Sequence, residues 1–458
     1  MKKLLFLFYV LFLTHESMSA QSLFAGGDGS EASPYQITNA VQLDSVRWHL
    51  DSNFILMNDI DLKASGYPIW LPIGKRNTTD ASNSFKPFSG TFDGQGHTIS
   101  NINIQYSGNY VGFFAVVSGK LKNLAVTGNV NQITGTTTAL LCAYLGQPGS
   151  PGIIENCSAV GNVVNTGMQA GVLVGLAAID NCVIKNCYSG GSVSSSGTQY
   201  YGGLLGRATK PTVSITNCYS TADVKGGDYC GGIIGYVFGA GNVYNLYASG
   251  NVEGAKYVGG IAGKLWANAT TSGLVALNKS IKGTDEVGRV FGTFGAGAAS
   301  DNCWGLKGMP ITVSDATYTA VNDVYKKDGG DVTEEDDELS TEMTYYTDEL
   351  GWDFDTNWSM PEGGGYPILK TTSNHATAIN SIDIERKSDE LKVTVNGNLI
   401  VVDNLGNAEN VTVYDVSGNV IKDAVNVNEH ISFIIPQKGF YLVKATSGKD
   451  IRVKKFIK

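Results

Sequence analysis

Tyr201-Gly202-Gly203-Leu204-Leu205-Gly206 is the first of three similar hexapeptides, followed by Cys230-Gly231-Gly232-Ile233-Ile234-Gly235 and Val258-Gly259-Gly260-Ile261-Ala262-Gly263. The first glycines of the three copies are 29 and 28 residues apart. A second phrase recurs between the copies, as Ile215-Thr216-Asn217-Cys218-Tyr219-Ser220 and Val243-Tyr244-Asn245-Leu246-Tyr247-Ala248. A fixed period near 30 residues, with two short apolar segments per unit, indicates a solenoid.

The repeated unit is predicted to consist of strands. Gly supplies 57 of the 458 residues, and no unit carries an uninterrupted apolar face at helical spacing. Strands that recur at one length and stack on themselves build a parallel β-helix, with equivalent residues of successive coils about 4.8 Å apart. We therefore predict an all-β fold with a parallel β-helix, and Gly at corners where φ turns positive.

One Asn recurs in every coil. The column contains Asn123, Asn156, Asn186, Asn217 and Asn245. Because buried amides need hydrogen-bond partners, we predict an internal ladder in which each Asn side chain bonds its neighbours in the coils above and below.

Three of the seven cysteines share a second column. Cys157, Cys187 and Cys218 stand where other coils carry Leu124 and Leu246. A position that accepts Leu or Cys is an inward core position, where Cys acts as a small hydrophobe. Free thiols are therefore favoured over disulfides, the alternative for an exported chain. No spacing is typical of a zinc site, so neither a metal nor a cofactor is predicted.

Strand alternation places the residue after the Cys column on the outside of the coil. That column contains Ala125, Ser158, Tyr188, Tyr219 and Tyr247. Its three tyrosines, Tyr188, Tyr219 and Tyr247, are the predicted ligand-binding residues, because stacked rings can bind the apolar faces of sugars. The alternative is that Tyr merely suits an outer sheet.

A second set of tyrosines precedes the Gly pairs. It contains Tyr200, Tyr229 and Tyr257, and the pattern leaves open which way these side chains face.

The repeats resemble the GLUG-motif repeats of bacterial secreted and surface proteins. The likeness rests on Gly203-Leu204-Leu205-Gly206 with Asn217-Cys218-Tyr219, on Phe88-Ser89-Gly90-Thr91-Phe92-Asp93-Gly94-Gln95-Gly96, and on Gly365-Tyr366-Pro367-Ile368-Leu369. It covers roughly residues 25 to 370. The resemblance implies a right-handed parallel β-helix with an adhesive or binding role, and it carries no catalytic residues.

Residues 1–20 have the pattern of a secretory signal peptide, with Lys2-Lys3, an apolar run over 4–13 and small residues at the end. That run is too short to span a bilayer, so no transmembrane segment is expected. The protein is predicted to be secreted or held at the outer-membrane cell surface. The net charge of −9 argues against a nucleic-acid partner.

The chain is predicted to have two folded domains. Residues 21–375 form the β-helix, with an acidic, solvated excursion near 328–349 and a segment from Trp352 to Leu369 that covers the open end. Residues 376–458 contain short alternating strands separated by turn residues, the pattern of a small Ig-like β-sandwich.

The second domain resembles the C-terminal sorting domain of the type IX secretion system. The motifs are Val413-Tyr414-Asp415-Val416-Ser417-Gly418, Gly439-Phe440-Tyr441-Leu442-Val443 and the basic end Lys454-Lys455-Phe456-Ile457-Lys458. The resemblance implies the secretion machinery as a partner. It leaves open whether the domain is cleaved or retained.

Three functions are compared: an adhesin-like protein that binds glycan or a cell-surface ligand, a carbohydrate-active enzyme (polysaccharide lyase or glycosidase), and a structural stalk. Glycosidic cleavage needs paired acidic or basic groups facing one groove. The coil acids occupy different repeat positions: Glu155, Asp180, Asp223, Asp228, Glu253 and Asp301. No catalytic residue is therefore assigned, although the N-terminal coils around Asp59, Asp61 and Asp93 leave room for one. The binding protein is favoured.

Overall fold

The structure is a computed structural model that describes residues 23–74, 86–238, 242–266, 269–370 and, with short gaps, 391–457. The chain divides into two compact units, Met1–His375 and Ala376–Lys458. The first is a parallel β-solenoid of about eight turns, which confirms the predicted fold class. The predicted signal peptide lies outside the described residues.

Three walls of strands form the solenoid, and the strands pair in parallel except Ala316–Thr317, which pairs antiparallel with Ile311–Val313. The first wall contains the strands Tyr35–Ile37, Phe54–Leu56, Ile60–Asp61, Thr91–Asp93, Thr98–Ser107, Lys120–Lys122, Ala125–Thr134, Ile153–Glu155, Ser158–Asn165, Val183–Ser195, Ser214–Ser220, Asp223–Lys225, Asn242–Ala248, Val252–Glu253, Thr270–Ala276, Ile281–Gly283, Ala299–Leu306, Ile311–Val313, Ala316–Thr317 and Gly330–Val332. The second wall contains Tyr110–Val111, Thr137–Thr138, Gln169–Gly171, Gln199–Gly202, Asp228–Gly231, Lys256–Gly259 and Asp285–Gly288. The third wall contains Phe114–Val117, Cys142–Leu145, Val174–Ala177, Leu205–Ala208, Ile234–Val237, Ala262–Leu265 and Phe291–Phe294.

Helices are few and short in the described chain. An α-helix at Ala40–Ser45 runs into a 3-10 turn at Val46–Trp48, and its N-terminus is capped by the side chain of Asn39. The other two are an α-helix at Glu334–Asp337 and a π-helix at Tyr345–Glu349.

The Gly-Gly hexapeptides turn the chain from the second wall to the third. A Cβ atom on Gly202 would lie 2.1 Å from the carbonyl oxygen of Leu205, and one on Gly231 would lie 2.1 Å from that of Ile234. Neither glycine has a positive φ. These glycines are therefore required by close backbone approach, and the expectation that they supply positive φ is wrong.

The Cys column is in the core as predicted. Cys187 lies opposite Cys218, which lies opposite Leu246 in the next coil. All seven cysteines are buried and free.

The Asn ladder is also confirmed. Each Asn donates its amide to the Asn one coil before it, over 3.0 to 3.2 Å, from Asn245 back to Asn123. Asn123 donates in turn to a carboxylate oxygen of Asp93, at 3.0 Å. All five have φ between 51° and 58°, a region that Asn tolerates better than most residues. This positive-φ corner of the first wall is therefore occupied by Asn in these five coils, and by Gly273, with φ 65°, in the coil after Asn245.

The segment 345–369, which we call the strap, lies along the outside of the first wall. The Tyr247 hydroxyl donates to the Pro367 carbonyl at 2.9 Å, and the Trp352 indole N–H donates to the Gly273 carbonyl at 3.1 Å. Its strands Trp358–Ser359 and Ile368–Leu369 pair antiparallel. The strap covers the side of the solenoid, whereas the sequence placed this segment over the open end.

The predicted acidic excursion begins as part of the coil. Gly330–Val332 pairs in parallel with Ala299–Leu306, and Asp328 is buried. Asp328 accepts hydrogen bonds from the backbone N–H of Arg289 and from the Tyr318 hydroxyl. The buried Asp328 carboxylate is the acceptor that the buried Arg289 N–H needs. This part of the acidic run is therefore structural, and the prediction that it is solvated is wrong.

The second unit contains two antiparallel sheets. One contains Lys392–Asn396, Leu399–Asp403 and Ile431–Ile434; the other contains Asn407–Asp415, Val420–Asn428, Phe440–Ser447 and Asp450–Ile457. Residues of both sheets, such as Ile400 and Val413, share one buried core.

Candidate functional site

The predicted binding column stacks but is not exposed. Ring centroids are 4.4 Å apart between Tyr188 and Tyr219 and 4.9 Å apart between Tyr219 and Tyr247. The three side chains are 2%, 1% and 2% exposed, respectively. Their predicted exposure on the outer face is therefore wrong.

The strap is the reason for that burial. The rings of Trp352 and Trp358 stack at 4.4 Å and lie against the tyrosines, with Trp358 6.1 Å from Tyr219 and 6.2 Å from Tyr247. Burial raises the pKa of Tyr247 well above its usual range. Covering large aromatic surface is strongly favourable, so this column acts as a second core between wall and strap.

The second set of tyrosines lies on the surface instead. Tyr200, Tyr229 and Tyr257 are half-buried and stack in successive coils of the second wall, with centroid distances of 4.9 and 4.6 Å. Their rings face one another, so solvent meets ring edges and hydroxyl groups.

The backbone of these tyrosines is unusual. Their φ angles are 68°, 58° and 61°, in the left-handed region where a bulky residue costs on the order of 1–3 kcal/mol. In the next coil the corner is occupied by Glu286, also with a positive φ of 52°. The corner itself thus requires a positive φ, which Gly or Asn would adopt at a lower conformational energy. Three tyrosines at this corner indicate that the side chain itself matters.

A column of alternating cations and aromatics runs beside this file on the third wall. Arg207, Tyr236 and Lys264 are register partners in three successive coils. The Arg207 guanidinium carbon lies 4.3 Å from the ring centroid of Tyr200 and 5.3 Å from that of Tyr236. The Lys264 ammonium lies 4.4 Å from the ring of Tyr257. These are cation–π distances.

The two cations have no carboxylate partner among the described residues. Lys264 is only 9% exposed, and its contacts are the rings of Tyr257 and Trp266, each at 4.4 Å. The Nε atom of Arg207 is buried and has no hydrogen-bond partner. Lys256, by contrast, pairs with Asp285 at 2.9 Å.

Two exposed rings complete the surface. Phe238 and Trp266 follow third-wall strands of adjacent coils and are 40% and 38% exposed; the Trp266 backbone N–H donates to the Val237 carbonyl. Their centroids lie 6.5 and 6.3 Å from that of Tyr236. We call the following set the aromatic–cation face: Tyr200, Tyr229, Tyr257, Arg207, Tyr236, Lys264, Phe238 and Trp266.

The hydroxyls of Tyr229 and Tyr236 are neutral at physiological pH. Burial raises the pKa of Tyr236 to about 12, although Arg207 acts in the opposite direction. Burial, together with the neighbouring tyrosines, also raises the pKa of Tyr229. Neutral phenols can both donate and accept hydrogen bonds.

The three N-terminal acids around which a catalytic site was left open, Asp59, Asp61 and Asp93, each have a partner. Asp93 pairs with Lys122 at 2.9 Å, and Asp61 accepts hydrogen bonds from the Asn101 side chain and the Ala64 backbone N–H. Hydrogen bonds lower the pKa of Asp61, the Ala64 backbone bond most strongly. Asp59 lies 3.1 Å from the Nδ1 atom of His97.

Within the described ranges, no group of three or more His, Cys, Asp or Glu residues could hold a metal ion. No helix in that part of the chain is long and apolar enough to cross a membrane.

The aromatic–cation face was only partly predictable. The sequence shows the tyrosine file, but the direction of its side chains depends on the left-handed corner, which simple alternation does not describe. Arg207, Tyr236 and Lys264 were missed. The available signal was register, since each stands five residues after the first Gly of its hexapeptide.

Comparison with known proteins gives partial relatives. No family model matches the chain. A stretch of 160 residues, 33% of this chain, is 36% identical to 17% of a candidate Gly-rich membrane protein of Evansella cellulosilytica. A stretch of 178 residues, 38% of this chain, is 30% identical to 2% of halomucin of Haloquadratum walsbyi. The matches thus span only a small part of the length of either relative.

A solved structure shares the fold. A candidate immunoglobulin A1 protease from Bacteroides ovatus superposes with a TM-score of 0.52 and 24% sequence identity, over 76% of this chain and 96% of that chain. At this identity the likeness shows the β-helix architecture alone, because one fold hosts many functions.

Proposed function

We propose that this protein is a secreted or cell-surface binding protein whose aromatic–cation face binds an extended glycan. The observation that carries the proposal is the file Tyr200, Tyr229 and Tyr257, three bulky residues held at a left-handed corner on an open wall. Backbone strain that persists at one surface position in consecutive coils favours a functional reason for the side chain.

The chemistry of the face suits sugar. Sugars stack their C–H faces on aromatic rings, and hydroxyl and cationic groups then fix the orientation. Phe238 and Trp266 offer exposed rings, whereas the stacked tyrosines offer edges and hydroxyls. A bound sugar would therefore stack on Phe238 and Trp266 and would form hydrogen bonds with the tyrosine hydroxyls.

The repetition of the face favours a polymer over a single small molecule. Equivalent groups recur about every 4.8 Å along the solenoid, so several weak contacts can act together on one chain. Linked weak contacts raise the overall affinity without any new contact.

A surface location fits the rest of the sequence. Residues 1–20 resemble a signal peptide, the repeats resemble GLUG motifs, and the second unit resembles a type IX sorting domain. The names of the two partial relatives, a Gly-rich membrane protein and halomucin, are consistent with a secreted or surface location. On this proposal the second unit engages the secretion machinery.

The test is a glycan array probed with the secreted chain and two variants. The variant Phe238→Ala/Trp266→Ala removes the exposed rings. The matched control Trp48→Ala removes a ring that is 71% exposed elsewhere on the solenoid. The parent and the control are expected to bind the same glycans, and the double variant should lose at least about tenfold in affinity. A parent that binds no glycan, or a folded double variant with unchanged binding, would overturn the proposal and favour a structural stalk.

A further inference from the structure

We propose that the aromatic–cation face selects an acidic polysaccharide, whose carboxylate or sulfate groups pair with Arg207 and Lys264. This inference rests on the proposed glycan-binding function and adds the charge class of the ligand.

Lys264 provides the first reason. Its side chain is more than nine-tenths buried, its ammonium group lies 4.4 Å from the ring centroids of Tyr257 and Trp266, and no carboxylate among the described residues pairs with it. The rings hold the ammonium in place beside the aromatic surface, and its positive charge is not neutralised by a carboxylate of the described chain. A ligand anion would supply the missing partner.

The geometry of the column provides the second reason. Arg207 and Lys264 are register partners on either side of Tyr236, so the two positions lie two coil spacings apart, or about 9.6 Å along the solenoid axis. An extended polysaccharide with one acidic group per disaccharide presents charges on a similar scale. Arg207 carries a guanidinium that can bind a carboxylate or a sulfate through two parallel hydrogen bonds.

Two of the acids near the face are already engaged, whereas Glu286, exposed at the corner one coil beyond Tyr257, has no ion-pair partner among the described residues. Asp285 pairs with the Lys256 ammonium at 2.9 Å, and the Asp228 carboxylate accepts the Lys256 backbone N–H at 3.2 Å. Although the chain carries a net charge of −9, the face itself presents two cations to a ligand. Local complementarity, rather than net charge, governs which partner a surface accepts.

The test uses matched pairs of polymers. Hyaluronan, polygalacturonate and alginate would each be compared with the same polymer after methyl esterification, which neutralises the carboxylates and keeps the sugar backbone. Chondroitin sulfate would be compared with chondroitin that is both desulfated and methyl-esterified, because desulfation alone leaves the uronate carboxylates charged. Affinity of the parent chain would be measured at low and high salt, since screening weakens ion pairing. At least one acidic polymer should bind at least about tenfold more tightly than its neutralised form at low salt.

Charge variants then assign the preference to the face. Arg207→Gln and Lys264→Gln should each reduce the preference for the acidic form by about tenfold, with little effect on the neutral form. The control Lys282→Gln removes a cation that is 55% exposed on the first wall and should change nothing.

The outcomes separate this inference from the proposed function. Equal binding of acidic and neutralised polymers, or an acidic preference that survives both Gln variants, would overturn the charge assignment and leave glycan binding intact. Failure to bind any glycan, charged or neutral, would overturn both.

Discussion

Replacing Asn217 by Ala tests how the solenoid holds its coils in register. Asn217 donates to Asn186 at 3.2 Å and accepts from Asn245 at 3.1 Å. It also has a φ of 51°. The substitution therefore removes two ladder hydrogen bonds and leaves an alanine in the left-handed backbone region, where its Cβ atom is unfavourable and it has no polar side chain.

The expected loss of stability follows from these two terms. Two hydrogen bonds contribute about 1–3 kcal/mol together, and the left-handed conformation costs Ala about 1–2 kcal/mol. The Asn217→Ala variant should thus lose about 2–5 kcal/mol. Asn217→Gly loses the same hydrogen bonds but tolerates the corner, so it should be less destabilised than the Ala variant by up to about 1 kcal/mol.

Urea unfolding, followed by circular dichroism and by tryptophan fluorescence, measures the difference. Coincidence of the two probes checks that one cooperative transition is being compared, which repeat proteins do not always satisfy. Asn131→Ala, at an exposed position of the first wall with an ordinary backbone, is the control and should change stability by no more than about 0.5 kcal/mol. A ladder variant as stable as this control would refute the reasoning.

Three further predictions concern the core and the aromatic groups. Tyr219→Ala, at a side chain that is 1% exposed, should destabilise the solenoid by about 3–5 kcal/mol; an unchanged melting temperature would show that the strap does not bury this column in solution. The seven cysteine thiols should resist a thiol reagent at pH 8 and react only after the protein is unfolded, because all seven are buried. Desolvation also raises the pKa of these thiols, for example that of Cys303 to about 12. Rapid labelling of the folded protein would contradict this packing. Burial raises the pKa of the Tyr236 hydroxyl from about 10 to about 12, so the stability contributed by its neutral form should be complete below pH 10 and fall as pH rises toward 12. In urea titrations at several pH values, the Tyr236→Phe variant should show a smaller loss of stability over this range. An identical loss in the variant would refute the assignment of the decline to Tyr236.

The architecture of the first unit could be predicted because the same sequence pattern recurs in every coil of a solenoid. The Cys column and the Asn ladder each identify one position in several coils, so register follows from sequence alone. The role of Gly202 could not be predicted, since close approach to the Leu205 carbonyl and positive φ both select Gly.

The candidate site was harder to predict for two physical reasons. Alternation correctly stacked Tyr219 outside the coil, but it carries no information about a strap that returns more than a hundred residues later. The left-handed backbone at Tyr229 breaks alternation locally, so the direction of the exposed file became clear only from the structure.

Hydroxyl-radical footprinting read by mass spectrometry tests the central claim most directly, with the tightest-binding polysaccharide from the array present or absent. If the aromatic–cation face is the binding surface, labelling of Phe238, Trp266 and Tyr257 should fall at least about threefold on binding, while the exposed Trp48 and Tyr325 stay unchanged. Unchanged labelling at Phe238 and Trp266, with protection elsewhere on the chain, would contradict the claim.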